Sequence, residues 1–399
     1  MNRAALPFIF VTILLDVLSF GIIIPVLPKL IEHFMNGDTA AAAKMFGIFG
    51  TVWALMQFIC SPIFGALSDR FGRRPVILLA NFGLGFDYIV MALAPTVSWL
   101  FLGRVISGIT GASFTTASAY VADVTPPEKR AASFGMVGAA WGLGFILGPA
   151  LGGLLGAYDP RLPFWGAAVL TLLNATYGLF VLPESLPPER RAAFKWKKAN
   201  PVGALKLLRS HPELLGLAGV TALYFLAHQA LQSVFVLYTS FRYGWDERMV
   251  GLTLTAIGVC TMLVQGGVVK RFVARFGERR GLLTALICGA AGFAIYGFAP
   301  TPNAFWSGLP IFALMGLYNP SAQGLMTRRV EPSAQGQLQG ANSSIIGITG
   351  MIGPSLFTRI FANFIGAHRS WQFPGAPFLL AALLLISALA LAWRVTRIR

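Results

Sequence analysis

The sequence predicts an all-α integral membrane protein with twelve transmembrane helices in two six-helix halves. Composition is the first ground. Of 399 residues, 56% are hydrophobic and only 12% charged, whereas a soluble domain carries about a quarter charged, and mean hydropathy is +0.68. The second ground is a set of apolar runs, each long enough to cross the hydrocarbon core as a helix. The third is an internal repeat at an offset of 205 positions, which brings Phe71-Gly72 onto Phe276-Gly277, Pro127 onto Pro332, Gly135 onto Gly340 and Gly148-Pro149 onto Gly353-Pro354. Such a duplication divides the chain into residues 1–183 and 213–399, joined by a cytoplasmic linker over 184–212.

The runs fall near residues 5–31, 46–67, 75–94, 99–122, 132–157, 162–183, 213–240, 249–269, 281–299, 305–326, 338–366 and 376–393. The first follows Arg3 as a signal peptide would. It is too long for the apolar core of one, contains Asp16 and Pro25, and lacks a small-residue cleavage site, so it is expected to be retained. Twelve crossings place both termini on one side. Of the 31 Lys and Arg residues, 23 lie on the terminal and even-numbered loops and 7 on the others, with Arg104 inside a run. Because basic loops stay in the cytoplasm, both termini are expected there. The net charge of +16 borders the bilayer without any nucleic-acid-binding module, so it reports topology and contact with anionic membrane lipids. Cys60, Cys260 and Cys288 all lie in runs, with no CxxC spacing and no neighbouring His; they read as packing residues, and no metal or other cofactor is expected. The linker carries Arg190, Arg191, Lys195, Lys197, Lys198, Lys206 and Arg209, and its Lys206-to-His211 stretch suits a solvated linker or a surface amphipathic helix.

Between the second and third runs, Gly65 to Pro75 crowds Asp69, Arg70, Arg73 and Arg74 into a short hinge. Gly65 and Gly72 let the backbone turn, Pro75 suits the first turn of the next helix, and Asp69 can accept from free N–H groups or a neighbouring Arg. Two readings stand for the arginines: a conformational latch, or a plain anchor holding the loop in the cytoplasm. Asp123, which closes the fourth run, is a candidate partner for Arg73 or Arg74, and an ordinary capped loop is the other reading.

Three ionisable residues lie inside first-half runs. Asp16 sits about nine residues before Pro25, near mid-membrane, where a carboxyl can exchange protons in the physiological range or simply bond its helix neighbours. Asp87 lies in Gly83-Leu84-Gly85-Phe86-Asp87-Tyr88 and reads either as a cavity residue or, with Tyr88 marking the outer interface, as a carboxylate reaching water. Arg104 lies in Leu102-Gly103-Arg104-Val105-Ile106-Ser107-Gly108-Ile109-Thr110-Gly111-Ala112; it stays charged when buried and needs a partner, for which Asp16 is the candidate. The repeat sets Asp16, Asp69, Asp87 and Arg104 against Thr221, Ala274, Gly292 and Leu309. Intramembrane charge is therefore expected only in the first half, which would handle protons while the second shapes the substrate. The fifth run reads Gly142-Leu143-Gly144-Phe145-Ile146-Leu147-Gly148-Pro149-Ala150-Leu151-Gly152-Gly153. Gly144, Gly148, Gly152 and Gly153 open a groove for a neighbouring helix and Pro149 adds a kink, the makings of a hinge or seal. In the second half Tyr224, His228, Gln229, Gln232, Gln265, Asn319, Gln323 and Asn342 are the polar candidates for a substrate-binding cavity, and interhelical hydrogen bonding is the alternative for each.

The hinge Gly65 to Pro75 resembles the loop between helices 2 and 3 of the major facilitator superfamily, the Arg104 stretch resembles the proton-linked helix of drug antiporters, and the fifth run's GxxxGPxxGG pattern is similar to the antiporter motif of exporters. With Leu14-Leu15-Asp16, Pro25-Val26-Leu27-Pro28, Tyr243-Gly244-Trp245, Met249-Val250-Gly251 and Gln335-Gly336-Gln337-Leu338-Gln339-Gly340, the resemblance narrows to the twelve-helix drug:proton antiporters and, within them, to the tetracycline efflux transporters. It implies a bacterial inner-membrane protein, functioning as a monomer, that exports small-molecule drugs in exchange for protons by alternating access. It implies proton coupling through Asp16, Asp87 and Arg104. The helix 9 carboxylate and helix 8 histidine of well-known members fall at about Gly289 and Thr261, which sets the chain apart on metal-chelated tetracycline. No nucleophile–base pair and no Walker loop is present, so neither an enzyme nor an ATP-driven pump is expected. The competing readings are proton-coupled uptake of a nutrient or metabolite, against which the GPxxGG pattern speaks, and a non-transporting receptor, against which Asp16 and Arg104 speak.

Overall fold

The computed structural model describes residues 5–112, 114–126, 129–192, 212–331, 335–366 and 372–397, and all regular structure among them is helical. Helices α1 (Ala5–Ile23) and α2 (Leu27–Phe34) share the first crossing and part at Pro25, whose ring denies the helix an N–H. Helix α3 (Thr39–Phe71) is followed at once by α4 (Arg73–Ala92), the reversal falling on Gly72 at φ 103°, a conformation open to glycine. Next come α5 (Val97–Gly111) and α6 (Phe114–Val124), two pieces of one crossing, then α7 (Arg130–Gly156) and α8 (Leu162–Val181).

The second half runs through α9 (Pro212–Tyr243), α10 (Glu247–Leu263), a π turn at Val264–Val268, and α11 (Val269–Phe298). It continues with α12 (Pro302–Ala313), a 3-10 turn at Leu314–Leu317, α13 (Tyr318–Thr327), α14 (Gln335–Ile365) and α15 (Ala376–Val395). Ten continuous helical segments among the described residues are long and apolar enough to span a bilayer. One of them, Glu247–Phe298, has 52 residues; at 1.5 Å per residue that is about 78 Å of helix, enough for two crossings of a core of about 30 Å. The chain divides it at Gly277, at φ 80° and ψ 165°. Pro302–Thr327 adds a crossing in three short pieces, which completes the twelve.

The duplication is visible in backbone conformation. Gly72 and Gly277 both take positive φ, Pro149 and Pro354 both lie inside helices, and the break between α5 and α6 recurs between α12 and α13. The described residues form two compact units, one from Met1–Phe34, Val52–Asn200 and Asp246–Thr255, the other from Met35–Thr51, Pro201–Trp245 and Ala256–Arg399. In the first unit α1 lies against α7 and α8, and α4 against α5 and α8; in the second α9 lies against α14 and α15, and α11 against α12 and α15. The first residues of α3 belong to the second unit and the first residues of α10 to the first. Linker residues Lys195, Lys197, Lys198, Lys206 and Arg209, the Lys206-to-His211 stretch, and the repeat partners Pro127 and Pro332 lie outside the described residues.

Candidate functional site

At the hinge between α3 and α4, Arg73 is the hub. Its Nη1 donates to Asp69 Oδ1 and to Ser68 Oγ, both at 2.6 Å, and its Nε donates to Asp123 Oδ2 at 3.1 Å. The guanidinium is a fixed fork of donors, so one side chain can serve the end of α3 and the end of α6 at once. Of the two arginines proposed for Asp123 it is Arg73 that meets it; Arg74 donates to the Leu179 carbonyl at 2.6 Å, and Arg70 lies over the Phe71 ring at 5.1 Å. Sequence reasoning missed Glu184. Its Oε1 accepts from the Arg73 backbone N–H at 2.9 Å and thereby caps α4 from 111 residues away. Ser185 adds a bond to Asp123 at 3.2 Å, Arg191 sits 3.9 Å from Glu184, and the Ala192 N–H donates to the Asp69 carbonyl at 3.0 Å.

Deeper in the unit, Asp16 Oδ1 accepts from Asn174 Nδ2 at 2.8 Å, and the same amide donates to the Thr12 carbonyl at 3.1 Å. The expected Asp16–Arg104 pair is not formed. Arg104 donates instead to Ser107 Oγ at 2.8 Å, and its Nε is buried without a hydrogen bond. Asp87 and its neighbour Tyr88 lie in electrostatic reach of Arg104. Asp87 packs against Gly103, where a Cβ would lie 3.0 Å from Oδ1, and both its carboxylate oxygens are buried with no hydrogen bond. The alternative in which Asp87 reaches water beside an interfacial Tyr88 is overturned, because each residue is only 1% exposed. The first unit thus holds an amide-bonded carboxyl and an unpaired one near a guanidinium, groups that can take up or release a proton without contacting each other directly. Asn174 also went unread in the sequence. A lone amide on the buried side of α8 was the available signal.

The glycines of α7 form two seams. Gly144, Gly148 and Gly152 face α1; a Cβ on Gly148 would stand 2.6 Å from the Gly21 Cα, and one on Gly144 would meet Val17 and Leu18. Gly153 faces the start of α10, where a Cβ would lie 3.0 Å from the Gly251 Cα, while Gly251 in turn abuts the Pro149 carbonyl. Helices this close have room only for small residues. Thr255 Oγ1 donates to the Ile146 carbonyl at 3.1 Å across the second seam.

In the second unit the structure gathers some of the polar candidates and leaves others apart. Tyr224 stacks on Tyr318 at 3.5 Å and lies parallel to His228 at 6.2 Å, and His228 lies parallel to Phe312 at 6.5 Å. The Nδ1 of His228 is buried without a hydrogen bond. Asn342 donates to Gln323 at 3.5 Å, and Gln229 packs its side chain against Gly353. Gln232, Gln265 and Asn319 are exposed and make no side-chain hydrogen bond among the described residues. Tyr318, bonded through its hydroxyl to Thr221 at 3.0 Å, is a member that the sequence reading did not single out. Arg359 is exposed six residues from the end of the segment Gln337–Ile365. Gly289 is closely packed, a Cβ there standing 2.8 Å from Leu385 and 3.1 Å from Met315 Sδ, and Thr261 bonds its own helix at the Ile257 carbonyl. No cluster of three His, Cys, Asp or Glu side chains able to hold a metal occurs among the described residues.

Residues 9–354 match the family model of the Major Facilitator Superfamily. The chain belongs to that superfamily. Among curated proteins it is 37% identical to the class C tetracycline resistance protein of Escherichia coli, with 90% of each chain covered, and 35% identical to the class B protein of Escherichia coli, with 90% of this chain and 88% of the other covered. Solved structures agree on the fold. The human organic anion transporter MFSD10 superposes at a TM-score of 0.73 with 24% identity, over 98% of this chain and 99% of that one. The nucleoside transporter NupG superposes at 0.79 with 14% identity over the whole of both chains. As a superfamily member the chain is a multi-pass membrane protein whose relatives are transporters rather than enzymes.

Proposed function

We propose that this protein is a proton-coupled drug exporter that works by alternating access, taking small amphipathic aromatic molecules, tetracyclines among them, out of the cell. One observation carries the reading: the helix that bears Asp16 is the same helix seated on Gly144, Gly148 and Gly152 of α7. Protonation at Asp16 weakens the Asn174 bond by removing the acceptor's charge, and any rotation or slide of α1 that follows is felt along a seam with no slack. Proton coupling thereby reaches the element whose GPxxGG pattern is shared with exporters. The likeness to tetracycline resistance proteins supports the substrate class.

In this reading Asp16, Asp87 and Arg104 handle protons; Asp69, Arg70, Arg73, Arg74 and Asp123 form the latch; and Tyr224, His228, Gln229, Gln232, Gln265, Asn319, Gln323 and Asn342 contribute the second unit's part of the substrate cavity. The protein acts as a monomer in a bacterial inner membrane with both termini in the cytoplasm. Without a carboxylate at Gly289, a metal-chelated tetracycline is handled less well than in typical tetracycline exporters. The test is substrate-induced proton release from inverted vesicles across a panel of tetracyclines, lipophilic drugs, sugars and organic acids. Proton release with aromatic drugs, abolished by a protonophore, is the expected result; release only with a sugar or organic acid would replace export by nutrient uptake.

A further inference from the structure

Five aromatic rings form a continuous track within the first unit. Phe20 of α1 stacks on Trp53 of α3, with centroids 5.6 Å apart and planes at 24°, and meets Phe145 of α7 edge-on at 6.2 Å. Phe145 stacks on Trp141 at 5.7 Å and 20°, and Trp141 meets Phe114 of α6 in a perpendicular contact at 5.1 Å. The track begins one helical turn beyond Asp16 on the same face of α1, since Asp16 and Phe20 stand four residues apart.

These rings differ from those of an ordinary aromatic core. In the second unit Phe293, Tyr296 and Phe305 also cluster, with Tyr296 and Phe305 stacked at 4.3 Å, but each is 0% exposed. Along the first-unit track every ring is half-buried or exposed, and Phe114 is 40% exposed. Trp141 and Phe145 pack against the core formed by Ile13, Val17, Tyr120 and Val137 while part of each side chain stays open. Nor is the track the bilayer-facing side of α7. That helix exposes Leu143, Leu147, Leu151 and Leu154, and at 3.6 residues per turn Trp141 and Phe145 fall on the far side from that stripe. Neither Trp53 nor Trp141 uses its indole N–H in a hydrogen bond among the described residues, which leaves two donors beside the ring faces.

We propose that this track binds the flat aromatic part of the transported drug in the first unit, with Trp53 and Trp141 as the specificity-determining residues and their indole N–H groups serving its polar substituents. The proposal rests on the exporter reading for its substrate class, and it adds a first-unit binding surface to the second-unit candidates.

The test uses the full-length protein in proteoliposomes, with tetracycline as the flat aromatic probe, and separates binding, read by quenching of tryptophan fluorescence, from pH-driven transport. Trp53→Ala and Trp141→Ala are expected to raise the apparent KM about five- to tenfold with little change in kcat, as loss of one stacking partner implies. Trp141→Phe should return KM to within about twofold, and Trp99→Ala, at an exposed tryptophan outside the track, should leave it unchanged. Should an alanine variant not insert, Trp141→Leu against Trp141→Phe reads the same difference. Transport with unchanged KM in the Trp53 and Trp141 variants would overturn the track. Tetracycline that binds in a Trp141-dependent manner but is never pumped would uphold the track and sink the exporter reading instead.

Discussion

Arg73 holds Asp123 through its Nε at 3.1 Å while the same guanidinium holds Asp69 at 2.6 Å, so one cation ties the ends of α3 and α6 to the start of α4. A lysine at 73 has one ammonium in place of the two separate nitrogens that meet Asp123 and Asp69, so it cannot reproduce both bonds in their present geometry. Arg73→Lys is therefore expected to insert normally but to lose most transport, and Asp69→Asn to behave likewise. The asymmetry between them lies in stability. Asp69 is half exposed and its loss should be nearly silent in thermal unfolding, whereas removing the buried Arg73 fork with Arg73→Ala should cost about 1–3 kcal/mol. Equal unfolding temperatures for wild type and Arg73→Ala in detergent would contradict this account.

Asp16→Asn should abolish uphill, pH-driven accumulation and leave downhill counterflow intact, because the amide can still meet Asn174 but cannot exchange a proton. Paired measurements in proteoliposomes separate the two. Persisting pH-driven accumulation would remove Asp16 from the coupling.

Glycines in α7 offer a test with a built-in control. Gly148→Ala places a methyl group 2.6 Å from the Gly21 Cα and must push α1 aside, whereas a Cβ at Gly142 meets nothing within 4 Å. Over-packing of this kind costs about 1–3 kcal/mol. The expectation is strongly reduced transport and a lowered unfolding temperature for Gly148→Ala, with Gly142→Ala close to wild type in both.

Some of this arrangement was legible in the sequence and some was not. The twelve crossings, the hinge at Gly72 and its repeat at Gly277 could be read because hydropathy, proline and glycine act locally or recur at a fixed spacing. The Arg73–Asp123 bond could be named as a candidate since Arg73 lies in the hinge between the second and third runs and Asp123 closes the fourth. Glu184 gave no signal, because what caps α4 is a tertiary neighbour 111 residues distant. Asp16 was matched to Arg104 on charge alone; the structure gives each a neutral hydrogen-bond partner, Asn174 and Ser107, which periodicity cannot foresee. The amides of the second half could not be told apart by residue type, since Gln323 and Gln232 end in different surroundings, one beside Asn342 and the other exposed.

The position facing Leu385 and Met315 bears on substrate. Gly289→Asp, which supplies the carboxylate that the family resemblance places at about this position, should not by itself improve transport of metal-chelated tetracycline, because its Cβ already crowds both side chains. Combining it with Met315→Ala relieves one of the two contacts. Vesicle transport of tetracycline with and without magnesium checks both variants, and a gain from Gly289→Asp alone would show that the site yields more easily than its packing implies.

The Glu184 cap and the Ala192–Asp69 bond also decide how the gene can be divided. Residues 184–192 finish the first half's fold although hydropathy places them after its last span. Two separately encoded polypeptides split at 183 would leave the start of α4 without its acceptor, and the second polypeptide would carry away the missing carboxylate. A split placed after Ala192 keeps that acceptor with its donor, so complementation by co-expressed halves should succeed there and fail at the earlier cut.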